Sequence, residues 1–258
     1  MEPQPLEDDD LAGGRPQRLV PEPPPGGWLS DEPPMETYQH LMQMLALIAT
    51  LRFLWRERTD YFAGGNLTVY FSPVQKKSDD FRGPDFFVVL GVDGTKPRAS
   101  WVVWEEGGRY PNFIVEIASD STARVDRGEK KRIYQDIFRT PEYFVFDPET
   151  AVLEGWRLVG GRYQAMAPDS SGCLTSEQLE LKLGIVDREL RFFSPDGVLV
   201  SKPEEAALEA QRRADEEQRR ADEEQRRADA ERQRADEAQL RAEAAERELA
   251  ALKSRREG

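Results

Sequence analysis

The stretch from Pro111 to Pro148, PNFIVEIASDSTARVDRGEKKRIYQDIFRTPEYFVFDP, restricts the fold more than any other part of the chain. Residues 112–117 form a short apolar run broken by Glu116, the pattern of a buried strand that carries one carboxylate. A charge in that position is costly without a partner. After a Ser/Thr-rich turn the period changes from two to about 3.6. That change predicts a helix whose inner side is lined by Val125, Ile133, Ile137 and Phe138, with Arg127, Glu129, Lys131 and Asp136 facing outward. Lys130 and Tyr134 are four apart and share a helical face. Tyr143 to Phe146 reads as a second buried strand, closed by Asp147-Pro148. Strand, helix and strand joined by turns this short predict a right-handed crossover, with the two strands parallel in one sheet.

The chain of 258 residues is long enough for one sizeable domain with appendages. Residues 1–34 hold nine of the 18 prolines and 8 acidic against 2 basic residues. With almost no apolar periodicity, this segment is expected to be a disordered leader. Residues 35–200, with 24 acidic and 20 basic residues, are expected to form the folded domain. Residues 201–258, with 17 and 14, are expected to form a charged heptad-repeat helix or weak coiled coil. The acidity is spread along the chain, and no basic footprint of the kind that grips phosphate backbone without sequence preference is present.

Within the middle segment, residues 35–58 predict a long amphipathic helix in which Leu41, Leu45, Ile48, Leu51 and Leu54 recur at helical spacing. His40 near its start reads as a helix-surface histidine. Strands are predicted over Leu67–Phe71 and Phe86–Leu90, the latter opened by Gly83-Pro84-Asp85, and the apolar run Trp101–Trp104 reads as core. Beyond Pro148, runs at 152–158, 162–167, 179–183 and 190–193 predict antiparallel additions, with Gly160-Gly161 as a hairpin turn. In the tail, QRRADEE recurs and alanine returns every seven residues from Ala214 to Ala242, but Glu217, Glu224 and Glu231 fill the second seam. A solvent-exposed helix follows, braced by acid-before-base pairs at i and i+4, with Leu240, Leu249 and Leu252 offering a weak self-association end.

One cysteine, Cys173, excludes an internal disulfide, and a single histidine cannot complete the usual zinc sets. A metal would be held by oxygen, which favours magnesium, with manganese as the alternative. No apolar run approaches the roughly 18 residues of a membrane span. A cytoplasmic location without membrane contact is therefore the expectation.

If Asp85 and Glu116 open neighbouring strands of one sheet, their carboxylates can converge on one hard divalent cation. Lys130, from the following helix, can reach the same place, and Arg124, Arg127 and Lys131 would surround it with positive charge suited to phosphate. The order helix, strand, Pro84-Asp85 strand, Glu116 strand, helix, strand resembles the PD-(D/E)XK nuclease superfamily. More narrowly, Glu116, Ser119, Ser121, Thr122, Asp126, Lys130, Tyr134, Pro141, Glu142, Tyr143, Asp147 and Pro148 match the spacing of the bacterial Uma-two family, of restriction-endonuclease type. The likeness covers about residues 35–200. It implies an α/β restriction-endonuclease-like core, a mixed sheet flanked by helices. It also implies Mg-dependent cleavage of DNA, with Asp85 and Glu116 as metal ligands and catalytic acids, Lys130 as the catalytic cation, and Ser119, Asp126 and Tyr134 in support. The superfamily lysine normally follows the second acid by two residues. Ala118 stands there, so the resemblance implies that the lysine has migrated to position 130. The alternative is a nuclease-like module without turnover that binds nucleic acid or a protein partner, with the C-terminal helix as assembly arm. Homo-oligomers through the core or that helix are a further expectation.

Overall fold

The computed structural model describes residues 38–72, 81–118 and 126–256. The proline-rich leader, Ser119, Ser121, Thr122, Arg124 and Val125 lie outside them. The chain divides into two units, Met1–Val200 and Ser201–Gly258.

The first unit is a mixed α/β structure. A six-stranded sheet runs in the order β1 (Tyr61–Gly64), β4 (Phe86–Leu90), β6 (Phe113–Ile117), β7 (Glu142–Asp147), β8 (Val152–Val159) and β9 (Arg162–Ala165). Within this sheet, among the described residues, only β6 and β7 pair in parallel, which is the crossover expected from the Pro111–Pro148 stretch. Every residue of β6 is buried, as a near-continuous apolar run requires when both faces of a sheet are covered. Side chains alternate between two cores. Phe86, Val88, Phe113, Val115, Phe144 and Phe146 pack with α1 (Tyr38–Leu54), and with a second sheet of β10 (Leu174–Ser176), β11 (Leu181–Val186) and β12 (Glu189–Phe193). Phe87, Val89, Ile114, Tyr143 and Val145 pack on the other face with Tyr134, Phe138 and Trp101. Trp101 opens β5 (Trp101–Val102), which pairs with β2 (Val69–Tyr70); β3 (Phe81–Arg82) completes this small sheet.

Two helices depart from the expected pattern. In α1 the buried positions are Gln43, Met44, Leu47, Thr50 and Leu51, whereas Leu45 is 44% exposed. Leucine, methionine and isoleucine occur nearly all round this helix, so spacing alone does not define its inner face. Gln43 is buried because its amide is satisfied at both ends by the backbone N–H and carbonyl of Leu190. The second helix, α2 (residues 126–138), is built from π turns at Asp126–Lys130 and Tyr134–Phe138 around a short α-helical segment, Lys131–Ile133. Each π turn spans i to i+5 and shifts the helix phase. Tyr134 is therefore fully buried, while Ile137, expected inside, is 45% exposed. The helix stops at Arg139, which takes the left-handed conformation.

Beyond β7 only β8 and β9 extend the main sheet. The later runs form the separate β10–β12 sheet and do not extend the main one, and β1 occupies Tyr61–Gly64, a segment for which the pattern predicts no strand.

The second unit is one helix, α3 (Pro203–Arg256), of 54 residues and about 80 Å. Its described side chains are exposed from Glu209 to Glu248. They are linked along the surface by pairs such as Glu209 with Arg213, Glu237 with Arg241 and Glu243 with Arg247, each with the acid N-terminal. No helix among the described residues is long and apolar enough to cross a membrane.

Candidate active site

The antiparallel pairing of β4 with β6 sets Phe86 against Val115, and extending that register by one residue sets Asp85 against Glu116. The sequence reading placed these acids at the openings of their strands. In the structure Asp85 precedes β4 and Glu116 lies near the end of β6, and the antiparallel direction makes them neighbours. The two residues clasp one another through the backbone. Ile117 N–H donates to Asp85 Oδ2 at 2.7 Å, and Asp85 N–H points to Glu116 Oε2 at 3.4 Å. Gly65 permits this approach, because a Cβ there would overlap the carbonyl oxygen of Asp85.

Glu116 is 0% exposed and is held by α2. Lys130 Nζ donates to Oε2 at 3.0 Å and Tyr134 O–H to Oε1 at 2.6 Å. These distances fit charge-assisted bonds, which is how a carboxylate can be kept in a core. The ring of Tyr134 is fixed in turn by Phe138 and Tyr143, with centroids at 5.2 Å from each. Removing the hydroxyl alone, in Tyr134→Phe, is expected to destabilise the protein by about 1.5–3 kcal/mol, the range for bonds to charged groups. Urea unfolding measures this, and an unchanged midpoint would show that the bond contributes nothing.

His40, read from the sequence as a surface histidine, is instead part of this cluster. Its Nε2 lies 3.0 Å from Asp85 Oδ1, and both side chains are largely buried. No sequence signal marks it, since its partner is 45 positions away and arrives only when α1 packs on the sheet. Burial by itself would raise the Asp85 carboxyl. The close approach of His40, the charges of Lys130 and His40 and the Ile117 N–H together outweigh burial and hold it below the usual carboxylate range.

The remaining cations lie elsewhere. Glu116, Val145 and Glu154 are in register across β6, β7 and β8, so Glu154 sits two strands from Glu116 on the same face. Arg127 pairs with Glu154, and Lys131 Nζ sits 3.6 Å from the centroid of the Trp156 ring. Burial lowers the Lys131 ammonium below its ordinary range, against the pull of Glu154. Neither residue surrounds the acid pair as the sequence suggested, because the π turns of α2 direct both toward β8. Ser119 and Arg124 lie outside the described residues. Asp126 is placed only as the first residue of α2.

Each of the four carboxylate oxygens of Asp85 and Glu116 faces at least one protein donor, and Glu116 Oε2 faces two, Lys130 and the Asp85 N–H. Among the described residues no group of three or more His, Cys, Asp or Glu forms a metal cluster. An oxygen-only pair of this kind suits a cation that keeps most of its waters, as magnesium does.

A family model, Uma2, described as "Putative restriction endonuclease", matches residues 25–186, well over half of the chain. No curated protein matches the sequence. A crystal structure described as a putative nuclease belonging to DUF820, from Anabaena variabilis ATCC 29413, aligns with a TM-score of 0.42 at 14% identity. That alignment covers 57% of this chain and 76% of the other.

Proposed function

The chain belongs to the Uma2 family of "putative restriction endonucleases", and on that premise we propose that it hydrolyses phosphodiester bonds of DNA in a magnesium-dependent reaction. The observation that carries this reading is the mutual clasp of Asp85 and Glu116 with the Lys130 ammonium on the same carboxylate. Asp85 and Glu116 would hold the cation. Bound there, magnesium supplies Lewis acidity that makes water a better nucleophile and offsets charge on the phosphate.

The chain's own residues do the rest. Lys130 carries a positive charge at the point where negative charge grows on the phosphate oxygens, and it can orient the attacking water. His40 fixes Asp85 from the opposite side, and Tyr134 fixes Glu116, so both carboxylates are preorganised. Arg127, partly exposed and two strands along the same face, is the cation placed to meet the backbone beyond the cleaved bond. Lys131, committed to the Trp156 face, is not assigned a phosphate.

A second reading rests on the engagement of all four carboxylate oxygens by protein donors, which equally describes a closed ionic cluster in a binding module without turnover. In that reading α3 serves as an assembly arm.

Nicking of supercoiled plasmid decides between them. The hydrolase reading expects open-circular product in magnesium or manganese and none with chelator. Retention of DNA without product in either metal would establish the binding module instead.

A further inference from the structure

A cleft lies at the opposite end of β4. Asp85 precedes this strand, and at its other end Leu90 pairs with Tyr61, roughly 17 Å away at strand spacing. There the C-terminal end of α1, the segment 58–63 and the loop 94–98 enclose a cleft of about 500 Å³. That volume is within the range of small-ligand pockets. Its lining includes Arg52, Arg56, Arg58, Lys96 and Arg98 and no carboxylate, in a chain of net charge −13.

The walls of the cleft are fixed. Gly91 N–H donates to the Asp60 carbonyl at 2.7 Å and Gly94 N–H to the Thr59 carbonyl at 2.8 Å, which sews the loop to the segment before β1. A Cβ at Gly94 would overlap the Tyr61 carbonyl oxygen, so only glycine allows the loop to lie this close. Two of the guanidinium groups are preset. Arg58 is held by both oxygens of Asp60 and lies 4.1 Å above the Trp55 ring. Arg98 is held by both oxygens of Glu106 and lies against Phe62 and Trp101. The charge that remains is at the mouth. Arg56 pairs with the exposed Glu57 at 3.5 Å and donates to the Phe53 carbonyl at 3.4 Å, Lys96 meets Glu106 at 3.1 Å, and among the described residues no ion pair is formed by Arg52.

The exposed guanidinium forks of Arg52 and Arg56, beside the fixed charge of Arg58, suit a ligand with several phosphate oxygens, since each exposed fork can take two of them. We infer that this cleft binds a phosphate-bearing ligand at a site separate from the acid pair. The ligand chemistry has two sources, a free polyphosphate such as a nucleotide or the backbone of nucleic acid.

The test is calorimetric titration of the full-length chain with sodium pyrophosphate, in chelator and at low ionic strength. Saturable binding is expected, weakened at least about tenfold in Arg52→Ala/Arg56→Ala, because two charge-assisted contacts are lost. Both arginines are exposed, so the double variant should keep the parent's circular dichroism and melting temperature. Arg52→Lys/Arg56→Lys, which keeps the charge without the fork, should recover part of the affinity. Displacement of pyrophosphate by ATP but not by a 20-base-pair duplex would assign the site to a free nucleotide, and displacement by the duplex would assign it to nucleic acid. Absence of saturable binding, equal affinity in the alanine double variant, or displacement by neither competitor would overturn the inference.

Discussion

Asp85→Asn and Glu116→Gln proteins are expected to nick supercoiled plasmid in magnesium on the order of 10³-fold more slowly than the parent, the scale of losing one group that stabilises transition-state charge. Each change replaces one carboxylate oxygen by an amide nitrogen and leaves shape and volume almost untouched. In Asp85→Asn the Ile117 N–H and His40 keep a partner of the same size but lose its charge. In Glu116→Gln the Lys130 ammonium loses its counter-ion, while Tyr134 can still donate to the remaining oxygen. Both proteins should fold, as circular dichroism would verify, so a lost rate reports chemistry and not collapse. Equal cutting by parent and either variant would remove these residues from the reaction.

Lys130→Met should have the largest effect on stability. Its methylenes are replaced by a side chain of similar bulk, but Glu116, wholly buried, loses the ammonium while keeping the Tyr134 hydroxyl and the long bond from the Asp85 amide. Breaking a buried pair on one side typically destabilises by about 3–5 kcal/mol. Urea unfolding in chelator measures that loss. A divalent cation on the two acids would supply the missing positive charge, so magnesium should stabilise Lys130→Met more than it stabilises the parent. Lys130→Met/Glu116→Gln should be less destabilised than the single lysine variant, since no uncompensated charge is left behind. If magnesium stabilises both proteins alike, the acids do not hold the ion.

The central strands were legible in the sequence because their physical demands are local. Phe86–Leu90 and Phe113–Ile117 are apolar on both faces, and that pattern has few other solutions in a chain of this length. The acid in the second run stood out for the same reason, as a charge in a position that otherwise excludes charge. The parallel pairing of β6 with β7 followed from the helix between them. What the sequence could not show depended on phase and on distance. A period of 3.6 put Ile137 inside α2, and two π turns moved it out while carrying Tyr134 to Glu116. The contact of His40 with Asp85, 45 positions away, exists only after α1 has settled on the sheet. Arg127 and Lys131 looked like neighbours of Lys130, but each is captured by a residue of β8, a strand no local pattern connects to α2.

The interlocked main-chain contacts between residue 85 and residues 116–117 also tie activity to strand alignment. A sliding of β4 past β6 by a single position would send Asp85 to the face of the sheet opposite Glu116, so a half-assembled centre has no stable form. Gentle warming or dilute denaturant that loosens this pair should therefore silence the protein in one step, ahead of any loss of helical signal, and restoring the alignment should bring all of it back.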